Sequence, residues 1–374
     1  MKRLITFLCL IPVFLYGQDL YYPEEGSWDE RLNNGFDRGL LDDAVDFAME
    51  NEYSGSRDLR IAILEGFAAE PYHEIKGPVK KRGGPAGLII KDGFIAAKWG
   101  DLERVDMTFS VTKSYLSTVA GLAWQDGKIK LNEPVANYIW DGKFEGPHNS
   151  SITWDHLLTQ SSDWSGELFG MYDWADRPPR EGTVDDWKLR DLNKPGTVFE
   201  YNAVRVNLLA YSLLQVLHEP LPSVLREKVM DPIGASSTWR WFGYDHAWVT
   251  MDGFRVQSVT GGGHSGGGIF INTYDQARFG LLFARRGRWK NEQIISGEWI
   301  DRAKTPSEAL DQYGYMWWLH GEGEEPVPDR IYSARGFGGN FIIVDEANDL
   351  VIVTRWLEPN KLEEFVRLVY EALL

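Results

Sequence analysis

Residues 108–124 read Thr-Phe-Ser-Val-Thr-Lys-Ser-Tyr-Leu-Ser-Thr-Val-Ala-Gly-Leu-Ala-Trp, and the rest of the chain is interpreted around this stretch. Its apolar residues recur near helical spacing, after a polar run that begins the helix at Ser110. Ser110 and Lys113 therefore lie one turn apart on the same face, at the N-terminal end. The apolar positions are Phe109, Leu116, Val119, Ala120 and Ala123.

This spacing predicts a nucleophile beside its base. A serine hydroxyl attacks a carbonyl at neutral pH only when a neighbouring group takes its proton. Lys113 is that group if burial against the apolar helix lowers its pKa. The free N–H groups at the start of the helix favour a developing anion. Ser-x-x-Lys is by itself a common pattern, and the alternative is a surface lysine that follows a helix-opening serine.

The N-terminus has the pattern of an export signal. Lys2 and Arg3 precede an apolar run over residues 4–16, and Gly17 is small enough for a cleavage site. We therefore expect a signal peptide over residues 1–17 and an exported protein, periplasmic or secreted. The alternative is a retained N-terminal anchor. The remainder, residues 18–374, is expected to form a single catalytic domain.

Composition excludes several classes of function. The chain has 374 residues, of which 43% are hydrophobic, enough for a large core. Its only cysteine, Cys9, lies in the signal, so we expect no disulfide, thiol nucleophile or Cys-ligated metal. Removal of Lys2 and Arg3 takes the formal charge from −16 to −18. This acidity argues against nucleic acid and, after signal removal, against a membrane as partner.

Hydrophobic patterning predicts strands near both ends of the chain. Residues 86–90 and 94–99 flank a Lys-Asp-Gly turn, and residues 341–344 pair naturally with 350–356. Amphipathic helices are predicted from Leu40 and over 363–373, and helix and long loop between roughly 125 and 260. The predicted class is α+β: one antiparallel sheet built from both termini and flanked by helices, with an inserted, mainly helical subdomain.

A tyrosine stands at the junction of a loop and a helix. Phe199-Glu200-Tyr201-Asn202 follows Pro195-Gly196-Thr197 and precedes a helix that begins near Val204. The phenol of Tyr201 could exchange protons at the mouth of a cleft if nearby cations lower its pKa. The alternative is an ordinary half-buried aromatic residue.

Two glycine-rich segments and the loop tryptophans are further candidates. In Ala334-Arg335-Gly336-Phe337-Gly338-Gly339-Asn340, glycines mark a close approach of ligand or backbone, and strand N–H groups could complete an oxyanion hole with that of Ser110. The alternative is a bulged strand. The run 261–268 contains His264, which either lines a pocket or is structural. Some tryptophans of the insertion, among them Trp164, are expected to wall an apolar pocket.

Other catalytic signatures are absent from the sequence. It contains no His-Glu-x-x-His and no clustered His/Asp set, so neither a metal nor another cofactor is predicted. It also lacks Gly-x-Ser-x-Gly, the nucleophile elbow of α/β-hydrolases.

Together these pieces resemble the penicillin-recognising superfamily of class C β-lactamases, D-alanyl-D-alanine peptidases and esterases. The resemblance rests on the order and spacing of Phe109-Ser-Val-Thr-Lys-Ser114, Ile152-Thr-Trp-Asp-His-Leu-Leu-Thr159, Pro195-Gly-Thr-x-Phe-x-Tyr201 and residues 262–280. It implies an acylated Ser110, Lys113 as its base and Tyr201 as proton shuttle to the leaving group. The oxyanion hole is assigned to the backbone of Ser110 and Phe337. The expected substrate contacts are Asn202, Arg335, Gly336, Gly338, Trp164 and His264.

The chain departs from the family pattern at two places. The family's Tyr-x-Asn is Tyr201-Asn202-Ala203 here, so the amide is displaced by one residue. The third motif, Lys or His, then Ser or Thr, then Gly, is Ala334-Arg335-Gly336, and Arg335 points to the opposite face from position 334. We therefore expect β-lactams to be poor substrates.

The sequence thus predicts an exported serine hydrolase that acts on a small-molecule ester, amide or peptide through an acyl-enzyme. A β-lactamase or D,D-peptidase-type penicillin-binding enzyme is the alternative within the enzyme class. A catalytically weak ligand-binding homologue is the alternative outside it.

Overall fold

The computed structural model describes residues 20–179, 181–320 and 326–374. The predicted signal peptide lies outside these ranges. The helices are α1 Arg38–Glu50, α2 Leu59–Phe67, α3 Thr112–Gln125, α4 Gly146–Asn149, α5 Trp154–Leu158, α6 Val184–Lys188, α7 Ala203–Leu217, α8 Leu221–Leu225, α9 Thr273–Ala284, α10 Gly297–Ala303 and α11 Leu362–Ala372. The strands are β1 Ala86–Lys91, β2 Phe94–Trp99, β3 Asp106–Met107, β4 Glu167–Leu168, β5 Met171–Tyr172, β6 Arg240–Met251, β7 Phe254–Val259, β8 Gly268–Ile271, β9 Arg288–Trp289, β10 Glu292–Gln293, β11 Trp318–Leu319, β12 Tyr332–Gly336, β13 Asn340–Asp345 and β14 Leu350–Arg355.

The main sheet joins the two ends of the chain. Its six strands run in the order β11-β12-β13-β14-β1-β2, and every neighbouring pair is antiparallel. The N-terminal hairpin meets the C-terminal one along β1 and β14, from Ala86 opposite Arg355 to Lys91 opposite Leu350. The predicted α+β class, with one antiparallel sheet built from both termini, is confirmed.

Helices cover both faces of this sheet. On one face α1 and α11 pack together, and Phe365 of α11 meets Trp99 of β2 edge to face at 5.9 Å. On the other face α9 lies so close that a Cβ on Gly280 would be 2.5 Å from Val351 of β14. Behind it α3 is buried from Thr112 to Ala123 and contacts α7 and α8. The helix that begins beside Ser110 is therefore the centre of the larger core.

One part of the sequence prediction was wrong. Residues 240–259 were expected to be helix or loop, but β6 and β7 form a hairpin in a second sheet of order β3-β8-β6-β7. Asp252 and Gly253 turn the hairpin with positive φ of 51° and 84°. Asp92 and Gly93, between β1 and β2, have nearly the same values, 54° and 85°. The Asp-Gly signal was thus present at both places.

Within the described ranges, none of the helices combines the length and apolarity that a membrane span requires.

Candidate active site

The side chains of Ser110 and Lys113 meet at the start of α3. Ser110 lies in a 3₁₀ turn, Phe109–Val111, that leads directly into α3. The Lys113 Nζ is 2.8 Å from the Ser110 Oγ and 3.1 Å from the carbonyl oxygen of Gly261. Lys113 is 2% exposed, whereas Ser110 is only half-buried. The amine is thus held inside the protein against a hydroxyl that solvent and substrate can reach.

Burial changes the acid–base chemistry of Lys113. Desolvation lowers the pKa of its amine below the ordinary lysine value, and the positive charge of Arg177 lowers it further. Tyr201 and Asp176 act in the opposite direction, but the net direction is down. A lysine in this state can take a proton from Ser110.

The turn that carries Ser110 is held in a constrained conformation. Phe109 has a φ of 48°, a left-handed value that is unfavourable for a bulky residue. Its buried ring packs edge to face on Phe337 at 5.1 Å and on Trp356 at 6.5 Å. Packing on both sides therefore holds the backbone that presents the Ser110 hydroxyl.

Tyr201 lies beside the same amine. Its ring centroid is 4.9 Å from the Lys113 Nζ and 5.1 Å from the Cζ of Arg177. The ring stacks on Trp318 of β11 at 6.0 Å and lies 6.4 Å from Phe199. The structure thus brings together the three residues that the sequence assigned to catalysis.

The end of β12 lies against the Ser110 turn. A Cβ on Gly336 would be 2.3 Å from the carbonyl oxygen of Thr108 and 3.3 Å from the Val111 nitrogen, so only glycine fits. This contact places the end of β12 against the turn that carries Ser110, and the oxyanion hole from the N–H groups of Ser110 and Phe337 stays a prediction. Gly338, with a φ of 74°, belongs to the following turn and packs on Trp356.

The glycine run after β7 fits against the same turn. The Gly261 N–H donates to the Asn207 Oδ1 at 2.9 Å, which fixes the carbonyl that Lys113 contacts. A Cβ on Gly262 would be 2.1 Å from the Phe109 carbonyl oxygen. Gly262 therefore has no side chain because the backbone of the active-site turn occupies the space that a Cβ would need.

Two predicted substrate contacts are not at the cleft. Asn202 is 0% exposed; its Oδ1 accepts from the Arg205 N–H as the N-cap of α7, and its Nδ2 donates to the Asp173 carbonyl at 2.8 Å. Trp164 is 1% exposed, and its Nε1 donates to the Lys143 carbonyl at 2.6 Å. Because both side chains are buried and paired within the protein, their role in this structure is to support the loops.

The side chain of Arg335 points to the opposite face of β12 from the side chain of Ala334. Ala334 packs in the core that contains α3, whereas the Arg335 Nε donates to the Ser333 Oγ at 2.9 Å and its Nη2 is 3.1 Å from the His320 Nε2. The pairing of β12 with β13 keeps a regular register through these residues, so no bulge redirects Arg335. Burial and the Arg335 charge lower the pKa of His320 to about 3.

His264 is buried next to the site. Its ring stacks on Phe67 at 4.2 Å, its Nε2 is 3.1 Å from the Glu70 Oε2, and its Nδ1 is 3.8 Å from the Asp176 Oδ1. Among the residues that the structure describes, Glu70, Asp176 and His264 form a group whose ligand atoms are close enough together to hold a metal ion. The carboxylates face different ring nitrogens, however, and an imidazole binds an ion through one nitrogen. This arrangement fits an imidazole between two carboxylates better than an ion site.

Asp176 and Arg177 also lie at the site and were not predicted from the sequence. Asp176 is completely buried and accepts from the Ala203 N–H, at the start of α7, at 2.6 Å. Burial alone would raise its pKa, but Arg177 and His264 hold the pKa below the ordinary value. No local pattern marks these residues, because their partners lie in distant parts of the chain.

Comparisons with known proteins identify the family of the chain. A sequence model of the family described as Beta-lactamase matches residues 95–360. The chain belongs to the β-lactamase family. The match includes Ser110, Lys113 and Tyr201 and extends through β14. This is a family of serine hydrolases, and the fold described above is that of a β-lactamase-family protein.

Relatives and solved structures are only distantly similar. The chain is 23% identical over 293 residues to the 6-aminohexanoate-dimer hydrolase of Paenarthrobacter ureafaciens, covering 68% of this chain and 67% of that one. It is 22% identical to Bacillus subtilis PbpX, which is named for penicillin binding, but the match covers only 36% of PbpX and 40% of this chain. A family VIII carboxylesterase structure is 18% identical with a TM-score of 0.57, covering 78% of this chain and 93% of that one.

Proposed function

We propose that the protein is an exported serine hydrolase that cleaves an ester or amide through an acyl-enzyme on Ser110. The observation that carries the proposal is the 2.8 Å contact between the Ser110 Oγ and the amine of Lys113, whose pKa burial lowers. The basic residues and apolar run at the N-terminus support export.

The proposed acylation uses the residues around this contact. The Ser110 Oγ attacks the carbonyl carbon while its proton passes to Lys113. The N–H groups of Ser110 and Phe337 stabilise the oxyanion. When the tetrahedral intermediate collapses, the bond to the leaving group breaks, and Tyr201 relays the proton to the departing oxygen or nitrogen. Water then attacks the acyl-enzyme and regenerates Ser110.

The aromatic side chains at the site favour an apolar group beside the scissile bond. Phe199 lies 4.9 Å from Tyr313 and 6.1 Å from Trp318, and Trp318 stacks on Tyr201. These rings form one wall next to the tyrosine. An aryl or alkyl ester gains contact with such a wall, whereas a strongly hydrated group does not.

A β-lactamase or penicillin-binding activity is the second candidate within the enzyme class. Family membership and the name of PbpX support it. The side chain at Ala334 argues against it, because this strand position supplies neither a cation nor a hydroxyl for the β-lactam carboxylate. A catalytically weak binding protein is disfavoured because Ser110, Lys113 and Tyr201 are all present and adjacent.

Turnover of a simple aryl ester tests the proposal. We expect purified protein to hydrolyse 4-nitrophenyl butyrate, and Ser110→Ala to lower the specificity constant about a thousandfold or more. Ser117→Ala is the matched control, because the Ser117 hydroxyl is on the same helix but buried, with no hydrogen-bond partner among the described residues. Equal activity in wild type and Ser110→Ala would exclude Ser110 as the nucleophile.

A further inference from the structure

The guanidinium of Arg177 lies at the active site, although no motif predicted it. Its Cζ is 5.1 Å from the ring centroid of Tyr201 and 5.7 Å from that of Phe67. The residue belongs to the loop between β5 and α6, and its φ is 50°. A bulky residue adopts this left-handed conformation only where its surroundings enforce it.

Two carboxylates hold Arg177 in place. Its Nη1 donates to the Asp176 Oδ2 at 2.8 Å, and its backbone N–H donates to the Glu70 Oε2 at 3.2 Å. Asp176 is itself fixed by the Ala203 N–H, and Glu70 by its contact with His264. The position of the guanidinium is therefore set by the surrounding structure, which is the preorganisation that a binding group needs.

Most of the donors of this guanidinium are not used inside the protein. A guanidinium carries five N–H donors, and among the described residues Arg177 makes one side-chain hydrogen bond, to Asp176. The side chain remains 29% exposed, so the other donors can meet a ligand. Its charge also opposes protonation of Lys113 nearby. An arginine in this position is therefore suited to a planar anion that accepts two hydrogen bonds.

We propose that Arg177 forms an anion-binding site beside Ser110 and Tyr201, and that the natural substrate is an ester or amide that also carries a carboxylate. The substrate class rests on the proposed function, because it presumes that Ser110 attacks that ester or amide. Strand β12 has Ala334 where related enzymes carry a cation, and the guanidinium of Arg177 lies on a different element of the site, the β5–α6 loop, beside Tyr201.

Binding to a protein that cannot react tests this site independently of turnover. Calorimetry on Ser110→Ala would compare two stable anilides that differ only in the terminal group, glutaranilate with a carboxylate and pentananilide with a methyl. A second pair, 3-acetamidobenzoate and 3-acetamidobenzamide, places the anion on the other side of the amide. We expect the anion of at least one pair to bind about tenfold to a hundredfold more tightly than its neutral partner.

Variants assign this preference to Arg177. Arg177→Met in the Ser110→Ala background should abolish it, and Arg177→Lys, which keeps the charge beside Asp176, should retain part of it. Arg335→Met removes a second guanidinium near the aromatic wall, whose Cζ is 5.8 Å from the ring centroid of Trp318, and should leave the preference intact. Absence of a preference in both pairs, or its retention in Arg177→Met, would overturn the proposal, and so would its loss in Arg335→Met. Because the test needs no reaction, it is separate from the esterase assay.

Discussion

At the scale of single residues, the buried amine of Lys113 should make stability depend on pH. Its pKa is lowered in the folded protein, so between that value and about 10.5 the unfolded state binds more protons. The free energy of unfolding should therefore rise with pH across this window, by up to about 1.4 kcal/mol per pH unit, and level off above it.

Denaturant unfolding of wild type and Lys113→Met between pH 7 and pH 10 measures this effect. The unfolding free energy of wild type should rise relative to that of Lys113→Met as the pH rises. Lys128→Met is the control, since Lys128 is exposed just after the same helix. A difference between wild type and Lys113→Met that does not change with pH would show that the amine is charged when buried.

The individual residues show what local sequence can and cannot reveal. Ser110 and Lys113 were predictable because helical spacing alone places them on one face. Arg177 was not, because its partners Glu70 and Tyr201 come from other segments. Asn202 was predicted as a substrate contact, but helix α7 begins at Ala203 and takes the Asn202 side chain as its N-cap.

At the scale of elements, the glycine run 261–263 should be required for esterase activity, because it packs on the turn that carries Ser110. Gly262 and Gly127 have similar φ values of 73° and 68°, but a Cβ on Gly262 would be 2.1 Å from the Phe109 carbonyl oxygen. A Cβ on Gly127 would have no neighbour within 4 Å in the part of the chain that the structure describes. Gly127→Ala should thus lose only the conformational term, about 1–2 kcal/mol. Gly262→Ala should lose more stability and, by displacing the Ser110 turn, most of its esterase activity.

Unfolding curves and ester turnover of the two glycine variants measure this difference. Because the two glycines have similar φ values, alanine should cause similar backbone strain at both positions. Any larger loss of stability or turnover in Gly262→Ala than in Gly127→Ala therefore reports the contact with the active-site turn. Equal stability and equal turnover of the two variants would show that the glycine run does not support the site.

Strand β12 should make β-lactams poor substrates. Ala334 faces the active-site helix without a cation or a hydroxyl, and Arg335 is directed to Ser333 and His320. Each lost charge-assisted hydrogen bond costs about 1.5–3 kcal/mol, or roughly tenfold to a hundredfold in rate. Arg177 contacts Tyr201 and is not part of this strand. Neutral esters need only the backbone N–H groups and avoid the penalty.

This prediction is tested by measuring the specificity constants for a chromogenic cephalosporin and for a short-chain aryl ester on the same preparation, and by comparing the two. We expect the ester to be strongly preferred. Cephalosporin turnover near the diffusional ceiling would mean that another group binds the carboxylate.

Elements near the chain ends were easier to predict than those in the middle. The strands at 86–99 and 340–355 alternate with clear turns and were correctly placed. Residues 240–259 were missed although Asp252-Gly253 carries the same turn signal as Asp92-Gly93. The segment between roughly 125 and 260 was predicted as helix and long loop because its clearest patterns are helical, and the pairing of β6 with β8 joins residues that are distant in sequence.

At the scale of the whole molecule, the C-terminal helix should stabilise the N-terminal hairpin. Phe365 of α11 is completely buried and packs on Trp99 of β2. Phe365→Ala should therefore lower the free energy of unfolding by about 3–5 kcal/mol. Phe254→Ala, at a phenylalanine that is 73% exposed, should change it by about 0.5 kcal/mol or less.

Equilibrium denaturation followed by both fluorescence and ester turnover checks this coupling. The fluorescence signal and the activity should be lost together in Phe365→Ala, because β1 and β14 join the two ends of the chain in one sheet. A change in fluorescence at a denaturant concentration that leaves ester turnover unchanged would contradict this coupling.

The sequence could predict that both termini share a sheet, since hairpins lie at both ends. It could not predict which strands are neighbours, because that order depends on contacts between distant segments.

The central claim is that Lys113 activates Ser110 for acylation. Intact-mass spectrometry after exposure to a fluorophosphonate probe, with the modified peptide mapped, tests it most directly. The account predicts one adduct on Ser110 in wild type and in Ser117→Ala, and none in Ser110→Ala. It also predicts essentially no labelling of Lys113→Arg, since a guanidinium stays protonated. Equal labelling of wild type and Ser110→Ala, or a normal rate in Lys113→Arg, would contradict the account.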